Sequence, residues 1–433
     1  MFMRESAFNL INGILTMVNN RLADHCLRVA YIYLKMHQYE GKNSPEKIRR
    51  LMFCAMFHDI GAFKTEEISD LLTFDAQNTL SHSVYGYLFI KYLSYMEDYA
   101  EVILYHHLTY NEREDIDSEH VPMALRLHLA DRIDVYLVNK LTKDQILAKI
   151  KSLAGSTFDP ADVELFMNAE EKYQIIDALN NSRYKTQITG YYNMLGLNEA
   201  DLMKLIKLLV FTIDFKSEQT VTHTIQTEDL ACQIALRFGI EGEELRKIRC
   251  AALLHDVGKI MIPSHILEKT GRLTPEERAV METHVVYTER LIKGAVNDDV
   301  LKIAVRHHEK LDGSGYPRGI KADQLSLEER IMAVADILSA LVSKRSYKEI
   351  LPKEQAIEII SDMASKGLLD NEVVSAMVNN YDPIMDVCKE NTQDVIRRYE
   401  SLKSEYIECV HRYRRLDSNF PSTNALFSEN LYS

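Results

Sequence analysis

The chain has 433 residues, of which 46% are hydrophobic and 27% charged, with sixteen glycines and nine prolines: enough for two or three domains with their own cores, and too apolar for general disorder. A formal net charge of −13, from 64 acidic and 51 basic side chains, excludes a general binder of nucleic-acid polymers or anionic membranes, so an anionic ligand must find a local basic patch. Six cysteines (Cys26, Cys54, Cys232, Cys250, Cys388, Cys409) show no CxxC spacing, which argues for reduced thiols in a cytoplasmic protein rather than a disulfide framework.

The first twenty residues lack the basic start and continuous apolar run of a signal peptide. Farther on, the longest membrane-like run, residues 205–215, carries Lys207 and Asp214 and falls well short of the roughly 20 residues needed to span a bilayer. From Leu22, Leu27, Ala30 and Leu34 onward, apolar residues recur at three- to five-residue spacings, and no run alternates over strand length, so the fold class is all-α. Helix breaks are expected at 41–45, 114–122, 155–160, 271–275 and 312–319, each rich in stoppers or caps such as Thr274 before Pro275.

An internal repeat organises the rest. His25 pairs with His223, His58-Asp59-Ile60-Gly61 with His255-Asp256-Val257-Gly258, His82 with His284, His106-His107 with His307-His308, and Asp131 with Asp336, at offsets between 197 and 205. The expected organisation is a first domain over 1–175, a helical connector over 176–205, a second domain over 206–385 and a C-terminal stretch over 386–433. In that last stretch Val395, Tyr399, Leu402, Tyr406 and Val410 mark an amphipathic helix, which either docks a partner, as in a homodimer, or lies back on its own domain.

In the second domain Asp256 and Asp336 supply carboxylates, and His223, His255, His284, His307 and His308 supply imidazoles. With no cysteine among them, iron, manganese or zinc fits better than a thiolate-held structural zinc. Two divalent ions about 3.5 to 4 Å apart can clamp a phosphodiester and stabilise attacking and leaving oxygens together. Lys259, three residues after Asp256, is close to one turn away and can hold a non-bridging phosphate oxygen.

These residues, with His308-Glu309 and Asp312-Gly313-Ser314-Gly315-Tyr316-Pro317, resemble the HD-GYP family of metal-dependent phosphodiesterases that cleave cyclic di-GMP. The resemblance covers about residues 210–385. It implies that Gly315-Tyr316-Pro317 shapes the substrate pocket, with Tyr316 either stacking on a base or anchoring the loop, and that Arg345 and Lys348 contact phosphate. Members with three metals carry a glutamate where this chain has Gln219, and Glu218 is a weak substitute; this implies two ions, iron or manganese, and a first cut to the linear dinucleotide.

The first domain keeps the ligand positions His25, His58, Asp59, His82, His106, His107 and Asp131, which makes it a candidate metal site. It lacks the rest: Ala62 stands where the second domain has Lys259, Lys64 falls on another helical face, and no Gly-Tyr-Pro loop follows His107. Hydrolysis is therefore expected only in the second domain, with a regulatory or purely structural role for the first. His37, His120, His128 and His265 lack spaced partners and are read as ordinary histidines, with His128, three residues before Asp131, the nearest to a site. Tandem domains with the signature only in the second also resemble bacterial phosphodiesterases of 3′,3′-cyclic GMP-AMP, so that substrate is the alternative, as is a receptor that binds a cyclic dinucleotide without cleaving it.

Overall fold

The structure is a computed structural model that describes residues 6–62, 80–195, 199–214, 218–267, 269, 271–343 and 351–414. Those residues form helices joined by short turns and loops, with two isolated β-bridges and no strand among them. Helix starts follow local chemistry. Ser44, Asp159 and Thr274 each accept a backbone N–H of the following first turn through the side chain, and each is followed by a proline whose missing N–H has no intrahelical partner to lose. Thr274 completes a reciprocal box with Glu277.

The chain forms two compact units that do not follow sequence order. One holds the described residues of 25–92 and 96–184 together with 397–414. Its core is aromatic, with Tyr31, Tyr33, Phe53, Phe57, Phe89, Phe158 and Phe166 fully buried among the helices Asn20–Glu40, Pro45–Met56, Leu80–Leu93, Val121–Val138 and Pro160–Tyr173. The end of the long helix Tyr381–Arg414 belongs to this unit: Tyr406 stacks on Tyr85 with centroids 4.4 Å apart, and Glu405 accepts from Lys91, Tyr87 and Tyr92, each at 2.6 Å. Leu402 and Tyr406 are buried, so this part of the helix's apolar face is covered by its own chain.

The other unit holds 6–24, 93–95, 185–195, 199–214 and the described residues of 218–396. Helices Glu218–Arg237, Gly242–Leu254, His284–Ile292, Asp298–Val305 and Leu327–Val342 surround its centre. The helix Ser6–Val18 packs here, against the 3-10 turn Val257–Met261 and the helix His284–Ile292, with Leu10, Ile11 and Ile14 fully buried and Phe8 stacked on Tyr192 at 4.5 Å. Nothing in the local pattern of a short apolar helix says which repeat it will cover. All six cysteines are free, five of them buried. No described helix is long and apolar enough to cross a membrane.

Candidate metal centre

The second-repeat unit brings His223, His255, Asp256, His284, His307, His308 and Asp336 to one buried point. His223 comes from the helix Glu218–Arg237 and Asp336 from Leu327–Val342; His284 opens its own helix, and His255 and His307 follow the ends of two others. The helix Gly242–Leu254 ends just before His255, and residues 257–261 wind as a 3-10 helix. In that winding i and i+3 eclipse, so Lys259 lies directly over Asp256 and its ammonium pairs with Asp256 Oδ2. The tight turn depends on Gly258, where a Cβ would run into the His284 carbonyl and the Thr288 backbone. Thr288 fastens the same turn: its hydroxyl donates to the His255 carbonyl and accepts from Gly258 N–H, both at 3.0 Å. Gly258→Ala is expected to destabilise this unit by about 3 kcal/mol, the upper range for overpacking, read as a lower denaturant midpoint; an unchanged midpoint would contradict that account of the turn.

The imidazoles are oriented from behind. Nδ1–H of His255, His284 and His307 donates to the carbonyls of Ala252, Met281 and Ala304, at 2.7, 2.7 and 2.6 Å. His223 Nδ1 lies 2.9 Å from Ser339 Oγ, and that hydroxyl donates to the His223 carbonyl at 3.1 Å, so it accepts from the ring. Each arrangement leaves the Nε2 lone pair facing the centre. Nε2 lies 3.6 Å (His223) and 3.2 Å (His255) from Asp256 Oδ2, and 3.3 and 3.6 Å from Asp336 Oδ1, while His284 Nε2 lies 3.3 Å from Asp256 Oδ1. The two oxygens of Asp256 thus face two different groups of imidazoles. His308 approaches Asp336 Oδ2 at 3.6 Å through Nδ1.

Four buried atoms here, Nε2 of His255, His284 and His307 and Oδ1 of Asp256, make no hydrogen bond. Each buried polar atom left so costs about 1 to 3 kcal/mol, and four converging on one point describe a cradle for a cation. The donor set of neutral imidazole and carboxylate suits a divalent metal. Burial lowers the pKa of His284, His307 and His308, the last to about 3, leaving their lone pairs available. His255 moves the other way: burial opposes its charge, but Asp256 and Asp336 prevail and push it up to about 10. Burial would also raise Asp256 and Asp336, yet the surrounding imidazoles, and Lys259 at Asp256, hold both well below the carboxylate range. A divalent ion competes with protons for these imidazoles, so metal affinity should rise with pH. Calorimetry in buffers of different ionisation enthalpy reads the released proton, and loading without proton release would contradict this assignment.

The signature loop is tied to the site. Gly315 passes so close to the backbone of His308, Glu309 and Lys310 that a Cβ would overlap it. Glu309, 2% exposed, accepts from the backbone N–H groups of Arg318 and Ile320 at 2.8 and 3.1 Å and so holds the loop exit rather than a metal. The Tyr316–Pro317 peptide is cis, and the Tyr316 ring packs over His308 at 4.6 Å. Arg345 and Lys348 lie outside the described residues, as does Lys64, while Gln219 sits at the start of the helix Glu218–Arg237. Of the nearby basic residues, Arg306, Arg318, Arg330 and Lys353 are engaged by Glu329, Glu289, Asp370 and Asp382.

The first-repeat unit builds the same arrangement. Asp59 Oδ2 lies 3.6 and 3.4 Å from Nε2 of His25 and His58, its Oδ1 lies 3.5 Å from Nε2 of both His82 and His106, and Asp131 Oδ1 lies 3.3 Å from His25 Nε2. His107 Nε2 is 2.9 Å from His82 Nε2. Gly61 makes the same close approach to the His82 carbonyl that Gly258 makes to that of His284. Sequence spacing picks out every one of these converging side chains. It misses Thr288, Glu309, Ser339 and Asp134, whose roles come from tertiary placement; only the three-residue step from Asp131 to Asp134 and from Asp336 to Ser339 could flag the last two.

Comparison with known proteins agrees with this geometry. The HD domain family matches residues 207–373 and again residues 22–138. A 3′3′-cGAMP-specific phosphodiesterase 1 of Vibrio cholerae is 28% identical over 382 residues, covering 82% of this chain and 87% of its own length. A cyclic di-GMP phosphodiesterase of Thermotoga maritima is 36% identical over 218 residues, 48% of this chain and 59% of its own length. In fold, the crystal structure of a cyclic GMP-AMP specific phosphodiesterase from V. cholerae superposes with a TM-score of 0.53 at 22% identity, covering 88% of this chain and 98% of that one. The chain belongs to the HD domain family, which it carries twice, with the HD-GYP signature in the second copy.

Proposed function

We propose that the second domain hydrolyses one phosphodiester of a cyclic purine dinucleotide, cyclic di-GMP, to give the linear dinucleotide. The observation that carries this reading is the buried donor cradle with four unsatisfied atoms, lying beside Lys259 and the Gly-Tyr-Pro loop. His223 and His255, which also approach Asp336 Oδ1, face one oxygen of Asp256, and His284 faces the other; these residues would hold two divalent ions. Gln219, an amide in place of a carboxylate, supports two rather than three. Iron or manganese suits this all-nitrogen-and-oxygen set. When bound, such ions lower the pKa of water and neutralise charge on the phosphate.

The chain's own residues do the rest. Lys259 rests on Asp256 and is 21% exposed; once the carboxylate is engaged, the ammonium is free to hold a non-bridging oxygen as charge develops. Tyr316 and Pro317 wall the site on the His308 side, and Arg345 and Lys348 pair with substrate phosphate.

A second reading, 3′,3′-cyclic GMP-AMP as substrate, is favoured by the relative of that specificity that matches over 87% of its own length. Both are cyclic purine dinucleotides, so the two readings share the metal chemistry and differ at base edges. Offering the two in competition to the metal-loaded chain under reducing conditions, and resolving products by chromatography, gives the ratio of kcat/KM. A ratio above one for cyclic di-GMP supports the first reading, below one the second; binding without product from either supports a receptor and ends both.

A further inference from the structure

The two centres share seven ligand positions; three differences favour metal retention in the first, while a fourth, Arg132 paired with Asp131 where the second domain has Ile337, sets a cation on one of its carboxylates. His128 is buried, where the second domain has Ala333. Its Nδ1–H donates to the His106 carbonyl at 3.0 Å, the same kind of backing that orients the imidazoles of the second centre, and its ring stands edge-on to His107 with centroids 6.3 Å apart. Donor atoms of His107, His128 and Asp131 lie within 4.8 Å of one another, beside the groupings of Asp59, His82, His106 and His107 and of His25, His58 and Asp131. At the second place, buried Ala62 replaces Lys259, so no lysine at that position sits on Asp59 to be displaced by an incoming ion. At the third, the residue behind the first histidine is a buried carboxylate instead of a hydroxyl. Asp134 Oδ2 accepts from His25 Nδ1 at 2.7 Å and is itself held by Arg28, while Arg132 holds Asp131 Oδ2 at 2.6 Å and leaves Oδ1 to the centre. A carboxylate behind a ligating imidazole fixes its tautomer and raises its basicity, and such outer partners change metal affinity by about 10- to 100-fold.

Together these point to two centres of one ancestry with divided tasks. We propose that the first domain is the tighter metal centre of the chain, holding a divalent transition-metal ion with His128 as an additional ligand and cleaving no phosphodiester. The buried, hydrogen-bond-free Nε2 atoms of His58 and His106 and Oδ1 of Asp59 are the groups such an ion satisfies. The inference rests on the metal reading of the second centre only for comparison.

The test uses two full-length variants freed of metal, His255→Ala/Asp256→Ala, which leaves the first centre, and His58→Ala/Asp59→Ala, which leaves the second. Each is titrated with Co(II) against a competing chromophoric chelator while ligand-field absorption is recorded. The first-centre protein is expected to bind at least about tenfold more tightly, and adding His128→Ala to weaken it by about 10- to 100-fold with a changed spectrum. Equal or weaker binding by the first centre, or no effect of His128→Ala, overturns the proposal. Should a variant fail to fold, anomalous scattering from crystals of the wild-type chain after partial chelation decides: retained metal beside His128 supports the proposal, and metal only in the second domain overturns it. These readouts stand whether or not cyclic dinucleotides are turned over.

Discussion

Replacing His255 and Asp256 together with alanine is expected to reduce cyclic dinucleotide hydrolysis by about 10³-fold or more, the scale set by losing even one electrostatic stabiliser of a transition state. Asp256 offers one oxygen to each of the two imidazole groups, and His255 faces both carboxylates, so their loss dismantles the whole cradle. The equivalent change in the first domain, His58→Ala/Asp59→Ala, removes an equally complete set of donors and is expected to change turnover only modestly, because that domain has neither the lysine nor the Gly-Tyr-Pro loop. Steady-state rates of the two variants, with circular dichroism to verify folding, check the pair. Equal losses would mean that the chemistry is not confined to the second domain.

Lys259→Ala is the second large effect, with an expected fall in kcat of about 10²- to 10³-fold. The side chain makes a 3-10 turn's i,i+3 contact with Asp256, yet it is a cation and adds nothing to metal ligation. Removing it should leave metal content intact or slightly raised, since a competing cation leaves the carboxylate. Metal analysis alongside kinetics separates this from a ligand loss: lower activity with full metal supports the phosphate-holding role, and lower activity with metal missing contradicts it.

The repeat makes most of the donor set legible in the sequence, because the histidines and aspartates recur in the same order in both halves even where the spacing between them changes. Helix boundaries at Ser44-Pro45, Asp159-Pro160 and Thr274-Pro275 are legible too, since the capping chemistry is local. What periodicity cannot convey is which distant surface covers an apolar helix. Ser6–Val18 lies early in the chain but packs on the turn that follows the second histidine–aspartate pair and on the helix that His284 opens. Likewise the spacing of Glu309 gives no sign that it accepts from the backbone of Arg318 and Ile320, which only the loop's return brings to it. His128 escapes a reading by repeat because no histidine answers it in the second copy, and that mismatch is the feature that distinguishes the first centre.

The most direct measurement is chromatography of cyclic di-GMP after incubation with the folded full-length chain, metal-free and then reloaded with iron or manganese. The account predicts no product from the metal-free protein and a linear dinucleotide that appears on reloading and disappears again in the His255→Ala/Asp256→Ala variant. A metal-loaded wild-type chain that yields no linear product from cyclic di-GMP or cyclic GMP-AMP, or one that yields it equally without metal, would contradict it.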